Sequence, residues 1–153
     1  MLTVHDDLSC TPEAFWALYF QEGFQERLYR EGLGFPEFQL LSQKRSGDTV
    51  TQELKLKPPG LPKVVEKALG DTRYVEKGRF DGRVWHFTMQ PGGDRVTVTG
   101  RFWVDPTPGG CRRTCEVDVQ VRIFGVGKAV AKALEGNVRE TQAKAVDFIR
   151  KQL

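Results

Sequence analysis

The chain has 153 residues, of which 39% are hydrophobic and 28% are charged, proportions typical of a soluble globular protein. Its 23 basic and 20 acidic residues give a formal charge of +3, which is too balanced to require a nucleic acid partner and permits only weak attraction to anionic surfaces. The length suits one domain with a core and room for a cavity, so we expect a single domain over residues 1–153.

The amino-terminal sequence MLTVHDDLSC has no charged leader before an apolar stretch, and no segment reaches the roughly 20 apolar residues that span a bilayer. We therefore expect a cytoplasmic protein. An odd number of cysteines, three, predicts free thiols rather than a disulfide framework. The cysteines and the two histidines lack the number and spacing of zinc ligands, and we expect no metal and no cofactor.

One strand and two short helices are predicted in the first part of the chain. LTVHDDL alternates as a strand, with Leu2 and Val4 on one side. Residues 11–13, Thr-Pro-Glu, are typical of a helix start, and the aromatic run that follows gives this helix a broad apolar face. A second helix is predicted at about 24–31, where GLGF ends it.

The rest of the chain predicts six strands and two helices. FPEFQLLSQKRSGDTVTQELKLK is typical of two strands joined by a turn, and a short helix follows at about 61–69. TRYVEKGRF and RVWHFTM flank Asp81-Gly82, a strong hairpin signal, and RVTVTGRFWVD and RTCEVDVQVRIF predict two further long strands. Apolar residues at three-and-four spacing from Gly127 onward predict a long closing helix.

This order of elements resembles the helix-grip fold of the START-like (SRPBCC) superfamily, which includes lipid-transfer domains and polyketide cyclases. TPEAFWALYF is similar to the usual first helix of that superfamily. IFGVGKAVAKALEGNV and LPKVVEKALGDTRYVEKGRF resemble two regions of a bacterial START-like family of uncharacterised function. That family often carries a tryptophan on the strand within the second region, and here Arg79 and Phe80 stand near the end of that strand instead.

The resemblance implies an α+β fold in which a curved antiparallel sheet of about seven strands wraps around the long C-terminal helix. It also implies a cavity between sheet and helix that accepts a hydrophobic small molecule. The small residues Gly78, Gly100, Ala129 and Ala133 favour such a cavity, because a fully packed core would carry bulk at their positions.

Strand parity and helix spacing predict the side chains that face this cavity. Two of them, Gln52 and Glu76, are polar, and we expect them to orient the polar group of a ligand. The alternative is that the set simply fills the core and that core hydrogen bonds satisfy the two polar residues. The predicted ligand-binding residues are Gln52, Leu54, Leu56, Tyr74, Glu76, Phe80, Trp85, Phe87, Met89, Phe102, Val119, Val130, Ala133, Leu134 and Val138.

The short helix in KPPGLPKVVEKALGD interrupts the sheet where a hairpin turn would suffice. Its apolar side predicts either a cap on the core or a lid over the cavity mouth, with hinges at the prolines before it and at Gly70. Its lysines permit weak peripheral contact with an anionic membrane. The predicted lid residues are Leu61, Val64, Val65 and Leu69.

The function expected from the resemblance is non-enzymatic binding or transport of a lipid, sterol-like or polyketide-like compound. No GxSxG, HExxH, P-loop or CxxC motif is present. Two alternatives stay open: a cyclase or hydratase with Glu76 or Tyr74 as acid or base, and a protein-interaction module with a vestigial cavity. Protein partners stay unknown. Basic residues, including Arg112 and Arg113, interleave with acidic ones, which predicts a solvated face and no nucleic acid contact.

Overall fold

The computed structural model describes all 153 residues as a seven-stranded antiparallel sheet curved around one long helix. The strands are β1 (Leu2–Leu8), β2 (Glu37–Ser46), β3 (Thr49–Lys57), β4 (Tyr74–Phe80), β5 (Trp85–Met89), β6 (Val96–Thr107) and β7 (Gly110–Val121). The helices are α1 (Pro12–Tyr19), α2 (Phe24–Arg27), α3 (Lys63–Leu69) and α4 (Gly127–Gln152). This order of strands and helices confirms the predicted one.

The strand order in the sheet is β1-β7-β6-β5-β4-β3-β2. Strands β1 and β2 follow one another in the sequence but lie at opposite edges, so the segment with α1 and α2 crosses one face of the sheet. Near the middle of β2, a β-bulge between Leu40 and Ser42 leaves Leu41 out of the ladder and 43% exposed. The edge formed by β2 is therefore irregular.

Helix α1 begins as its sequence predicts. The Thr11 side chain accepts a hydrogen bond from the Ala14 amide at 3.1 Å, and Pro12 occupies the first turn, where its missing N–H costs nothing. The second helix is shorter than the predicted 24–31. The chain passes instead into a π-helical turn, Leu28–Gly32, because the Leu33 amide bonds to the carbonyl of Leu28 at 2.9 Å.

One end of the interior is filled with aromatic rings, and we call it the aromatic end. Helix α1 packs against β6 and places Trp16 over Phe80 at 4.4 Å between ring centroids, and parallel to Phe102 at 5.5 Å. Such pairs stabilise a core beyond the area that they bury. The aromatic end consists of Phe15, Trp16, Tyr19, Phe20, Phe80, Trp85 and Phe102.

Helix α4 packs against β1, β7, α3 and the π-helical turn. Its buried side chains keep the predicted spacing and are Val130, Leu134, Ala145, Val146 and Ile149. Val126 precedes the helix and is 46% exposed. None of the helices is both long and apolar enough to cross a membrane.

Candidate ligand-binding cavity

A cavity of about 140 Å³ lies between the inner face of β4 to β7, helix α4 and the π-helical turn. Of the 25 residues that line it, 17 are hydrophobic. The sheet side includes Phe87 and Val98, the helix side includes Leu134 and Ile149, and Leu33 closes it from the segment after the π-helical turn. A mostly apolar cavity with a few polar groups is the usual form of a small-molecule site.

The predicted glycine positions do not create this space. A Cβ atom at Gly78 would collide with the ring of Trp85, and one at Gly100 would collide with the ring of Phe87. These glycines let aromatic rings from the neighbouring strand lie flat on the sheet. Ala129 is exposed and Ala133 does not line the cavity. The cavity is therefore present, but these small residues do not make room for it.

The structure brings together about half of the predicted ligand-binding residues. They come from β4, β5, β6 and the middle of α4, where inward parity on the strands and four-residue spacing on the helix coincide. These eight lining residues are Tyr74, Glu76, Trp85, Phe87, Met89, Phe102, Leu134 and Val138.

The structure places the other seven outside the cavity lining: Gln52, Leu54, Leu56, Phe80, Val119, Val130 and Ala133. Strand β3 lies one strand beyond β4, so its two inward leucines are 1% exposed within the packed core. Phe80 belongs to the aromatic end. Val130 and Ala133 lie in the turns of α4 before the cavity begins, and Val119 lies one inward position beyond Val117 on β7.

Gln52 has its hydrogen-bond partners elsewhere in the core. Its Nε2 donates to Oε1 of Gln25 at 2.6 Å, and its Oε1 accepts from Nε2 of Gln43 at 3.1 Å. The predicted role in orienting a ligand does not fit this position, because the buried amide is already satisfied at both ends. The alternative of a core hydrogen bond describes Gln52 correctly.

Helix α3 is anchored to the core at its carboxyl end. Val65 is fully buried and Leu69 is 5% exposed, whereas Val64 is 37% exposed, and none of the three lines the cavity. Arg95 donates to the carbonyls of Ala68 at 2.9 Å and Leu69 at 3.1 Å, which satisfies the last turn. The helix thus has the contacts of a core cap.

The loop before α3, rather than α3 itself, borders the cavity. Pro58, Pro59 and Leu61 line it, and Leu61 is the one predicted lid residue that does so. A lid role stays a prediction. The segment in position to act as a lid is the loop that contains the prolines, and not α3.

One polar part of the lining centres on a buried carboxyl group. Glu76 is 7% exposed, and the Tyr29 hydroxyl donates to its Oε2 at 3.0 Å. Burial raises the pKa of Glu76 to about 7, although the hydrogen bond from Tyr29 opposes that rise. Burial, followed by the nearby Glu76 charge, also raises the pKa of Tyr74 and Tyr29, so both hydroxyls stay protonated at neutral pH.

A second polar part centres on Arg113, which was predicted to be solvated. The side chain is 4% exposed, lies 4.4 Å from the Phe102 ring centroid, and donates from Nη2 to Oε1 of Gln142 at 2.9 Å. Arg113 has the inward parity of Val117 on β7, whereas its neighbour Arg112 points outward and pairs with Asp7 at 2.9 Å. In the sequence, only strand parity indicates that Arg113 points toward the interior.

Sixteen lining residues were not predicted as site residues: Tyr19, Leu28, Tyr29, Leu33, Phe35, Pro58, Pro59, Pro91, Val98, Arg113, Val117, Asn137, Thr141, Gln142, Ala145 and Ile149. Parity along β6 and β7 could have identified Val98 and Val117. The spacing of Leu134 and Val138, continued along α4, reaches several others. The loop and turn residues carry no such signal.

The class of protein follows from these features together with solved structures of the same fold. TTHA0849 from Thermus thermophilus shares 15% identity and a TM-score of 0.72, covering 98% of this chain and 94% of that one. A START superfamily protein from Mycobacterium smegmatis shares 16% identity and a TM-score of 0.63, covering 99% and 97%. The chain has the helix-grip fold of the START superfamily, as predicted.

A third structure of this fold is norcoclaurine synthase from Thalictrum flavum in complex with dopamine and hydroxybenzaldehyde. It shares 18% identity and a TM-score of 0.66, covering 99% of this chain and 84% of that one. The chain belongs to the family described as "Protein of unknown function (DUF2505)", whose model matches residues 3–153. No curated protein matches its sequence.

Proposed function

We propose that this protein binds a small hydrophobic molecule in the cavity between the sheet and α4. The observation that supports this proposal is an apolar-lined space of about 140 Å³ within an otherwise packed core. Transfer of apolar surface into such a space contributes roughly 25 cal/mol for each Å² removed from water. The polar groups near Glu76 and Arg113 would orient the bound molecule.

The cavity volume supports a ligand, or a buried ligand part, of about one aromatic ring. A cavity of about 150 Å³ with an apolar lining is large enough to take up benzene. Sterol-like and polyketide-like compounds are larger and would need the loop before α3 to move. The presence of dopamine and hydroxybenzaldehyde, each with one benzene ring, in a structure of this fold supports the smaller size class.

A second candidate function is an enzyme that uses the same cavity, and Glu76 favours it. With a pKa of about 7, this carboxyl group both holds and releases a proton near neutral pH, which general acid–base catalysis requires. This candidate differs from binding alone because the bound molecule would be changed chemically. Mass spectrometry of the molecule recovered after incubation would detect that change.

The binding proposal is tested by titrating the protein with toluene while recording backbone amide NMR spectra. We expect saturable shifts at the residues around Leu134 and Phe87. Val98→Phe places a ring in the cavity and should abolish these shifts. Val119→Phe is the matched control, because Val119 is the cross-strand neighbour of Val98, is half-buried and does not line the cavity.

Two results would contradict the proposal. Toluene that causes no saturable shift in the wild-type protein would show that the cavity does not open to a ring of this size. Equal loss in the Val98 and Val119 variants would show that binding is not specific to the cavity lining at Val98, and Val119 would again be a candidate ligand residue.

A further inference from the structure

Arg113 is a buried cation whose hydrogen-bonding capacity is only partly used. The side chain is 4% exposed, and its Nε and Nη1 atoms are buried without a hydrogen-bond partner. A guanidinium group removed from water normally pairs with an anion or with several acceptors, because an unpaired buried charge is costly. The two free nitrogens therefore need an explanation.

Two neighbours hold the guanidinium at the cavity wall. Gln142 accepts the single hydrogen bond, from Nη2, and the ring of Phe102 lies 4.4 Å from the guanidinium carbon. Arg113, Gln142 and Phe102 all line the cavity. The guanidinium group is consequently held in place by residues of the cavity lining, and not by a carboxylate of the protein.

The other acceptors near Arg113 leave its Nε and Nη1 donors without a hydrogen bond. Asp6 lies opposite it in the pairing of β1 with β7 but forms no ion pair with it, and Asp6 Oδ2 is itself buried without a partner. Glu76, the carboxyl group of the cavity, bonds to Tyr29 instead. Cys115 lies two residues along the same face, and burial raises its pKa, although the charge of Arg113 and a hydrogen bond from Arg113 to the thiol oppose that rise. A protonated thiol is only a weak acceptor.

We propose that Arg113 binds the carboxylate of the ligand, so that the ligand class is a small hydrophobic carboxylic acid. This inference rests on the proposed binding function. A guanidinium presents planar donors that match a carboxylate, and the bond between two charged groups strengthens away from water. The apolar part of the acid would occupy the space beside Leu134 and Phe87.

The test compares phenylacetate with phenylacetamide, which has nearly the same shape and no charge, by isothermal titration calorimetry. We expect the wild-type protein to bind the acid at least about tenfold more tightly, since a charged hydrogen bond contributes about 1.5–3 kcal/mol. Arg113→Met keeps much of the apolar stem and should remove this preference. Arg112→Met is the matched control and should retain it, because Arg112 is exposed and pairs with Asp7.

A second variant keeps the test decisive where Arg113→Met fails to fold. Gln142→Leu, on the half-buried face of α4, removes the residue that holds the guanidinium and should reduce the preference for the acid. Equal affinity for acid and amide in the wild-type protein, or a preference that survives both variants, would overturn the role of Arg113. Toluene binding without either phenyl compound would overturn it while leaving the proposed function intact. Failure of all three probes would overturn both.

Discussion

At the aromatic end, seven rings fill the space between α1 and the middle strands, whereas beside the middle of α4 the same sheet borders a cavity of about 140 Å³. Both regions are covered by a helix, so the difference lies in the side chains that each helix presents. Helix α1 presents Phe15, Trp16 and Tyr19 within little more than one turn. Helix α4 presents the smaller side chains of Thr141 and Ala145 to the cavity, and no aromatic ring.

The comparison shows how one inner face can be partly filled and partly hollow. Three rings, those of Tyr19, Trp85 and Phe102, belong to the aromatic end and also line the cavity. They form the wall between the two regions. Because aromatic packing holds this wall from one side, the cavity keeps its shape without side chains filling it from the other.

The largest expected effect comes from removing a ring at the aromatic end. Phe15 is 1% exposed and meets other rings on several sides, so Phe15→Ala should lower the free energy of unfolding by about 3–5 kcal/mol. Phe35→Ala is the matched change in the cavity lining and should cost at least about 1 kcal/mol less, because fewer atoms surround that ring. Urea unfolding measures the loss of stability in both variants. Equal losses would contradict the claim that the aromatic end is packed more tightly than the cavity lining.

An intermediate effect is expected from the buried carboxyl group of the cavity. Between the ordinary pKa of 4.5 and the folded value of about 7, the folded state of Glu76 binds more protons than the unfolded state. The free energy of unfolding should therefore fall as the pH rises through this range, by up to roughly 3 kcal/mol. In Glu76→Gln this fall should disappear, as measured by urea unfolding at several pH values.

Glu53→Gln serves as the control for that measurement. Glu53 lies on the outer face of β3, so this substitution removes one carboxyl group away from the cavity. A pH dependence that is the same in Glu76→Gln and in the wild-type protein would show that Glu76 ionises without cost. The cavity would then be wetter than its lining indicates.

The smallest expected effect contrasts two valines on β6. Val96 is fully buried in packed core, so Val96→Phe should cost about 1–3 kcal/mol through overpacking. Val98 is 3% exposed and lines the cavity, so Val98→Phe has room for its ring and should cost less than about 1.5 kcal/mol. Thermal unfolding of the pair checks this order, and a greater loss at position 98 would mean that the space is not available to a side chain.

The fold was predictable because its signals are local. Alternation marked the strands, Asp81-Gly82 marked the β4–β5 hairpin, and Thr11-Pro12 marked the start of α1. The resemblance to START-like proteins then supplied the arrangement of these elements. Cytoplasmic location, one domain over residues 1–153 and weak membrane contact stay predictions.

The site was predictable only where position within an element decides the direction of a side chain. Glu76 and Leu134 were identified in this way. Leu33, Phe35 and Pro58 reach the cavity from turns and loops, and their approach depends on tertiary packing that no periodicity encodes. Arg113 was not predicted for another reason. Its strand parity points inward, but its charge was taken as a sign of a solvated side chain.

The bulge in β2 has a consequence for association between molecules. An edge strand offers unpaired amides and carbonyls along which a strand of another molecule can add, and β2 is ten residues long. Leu41 breaks the regular spacing of those groups, and the charged Lys44 and Arg45 lie a few residues beyond it. An approaching strand would lose its register at the bulge and would meet positive charge, which hinders fibre-like growth from this edge.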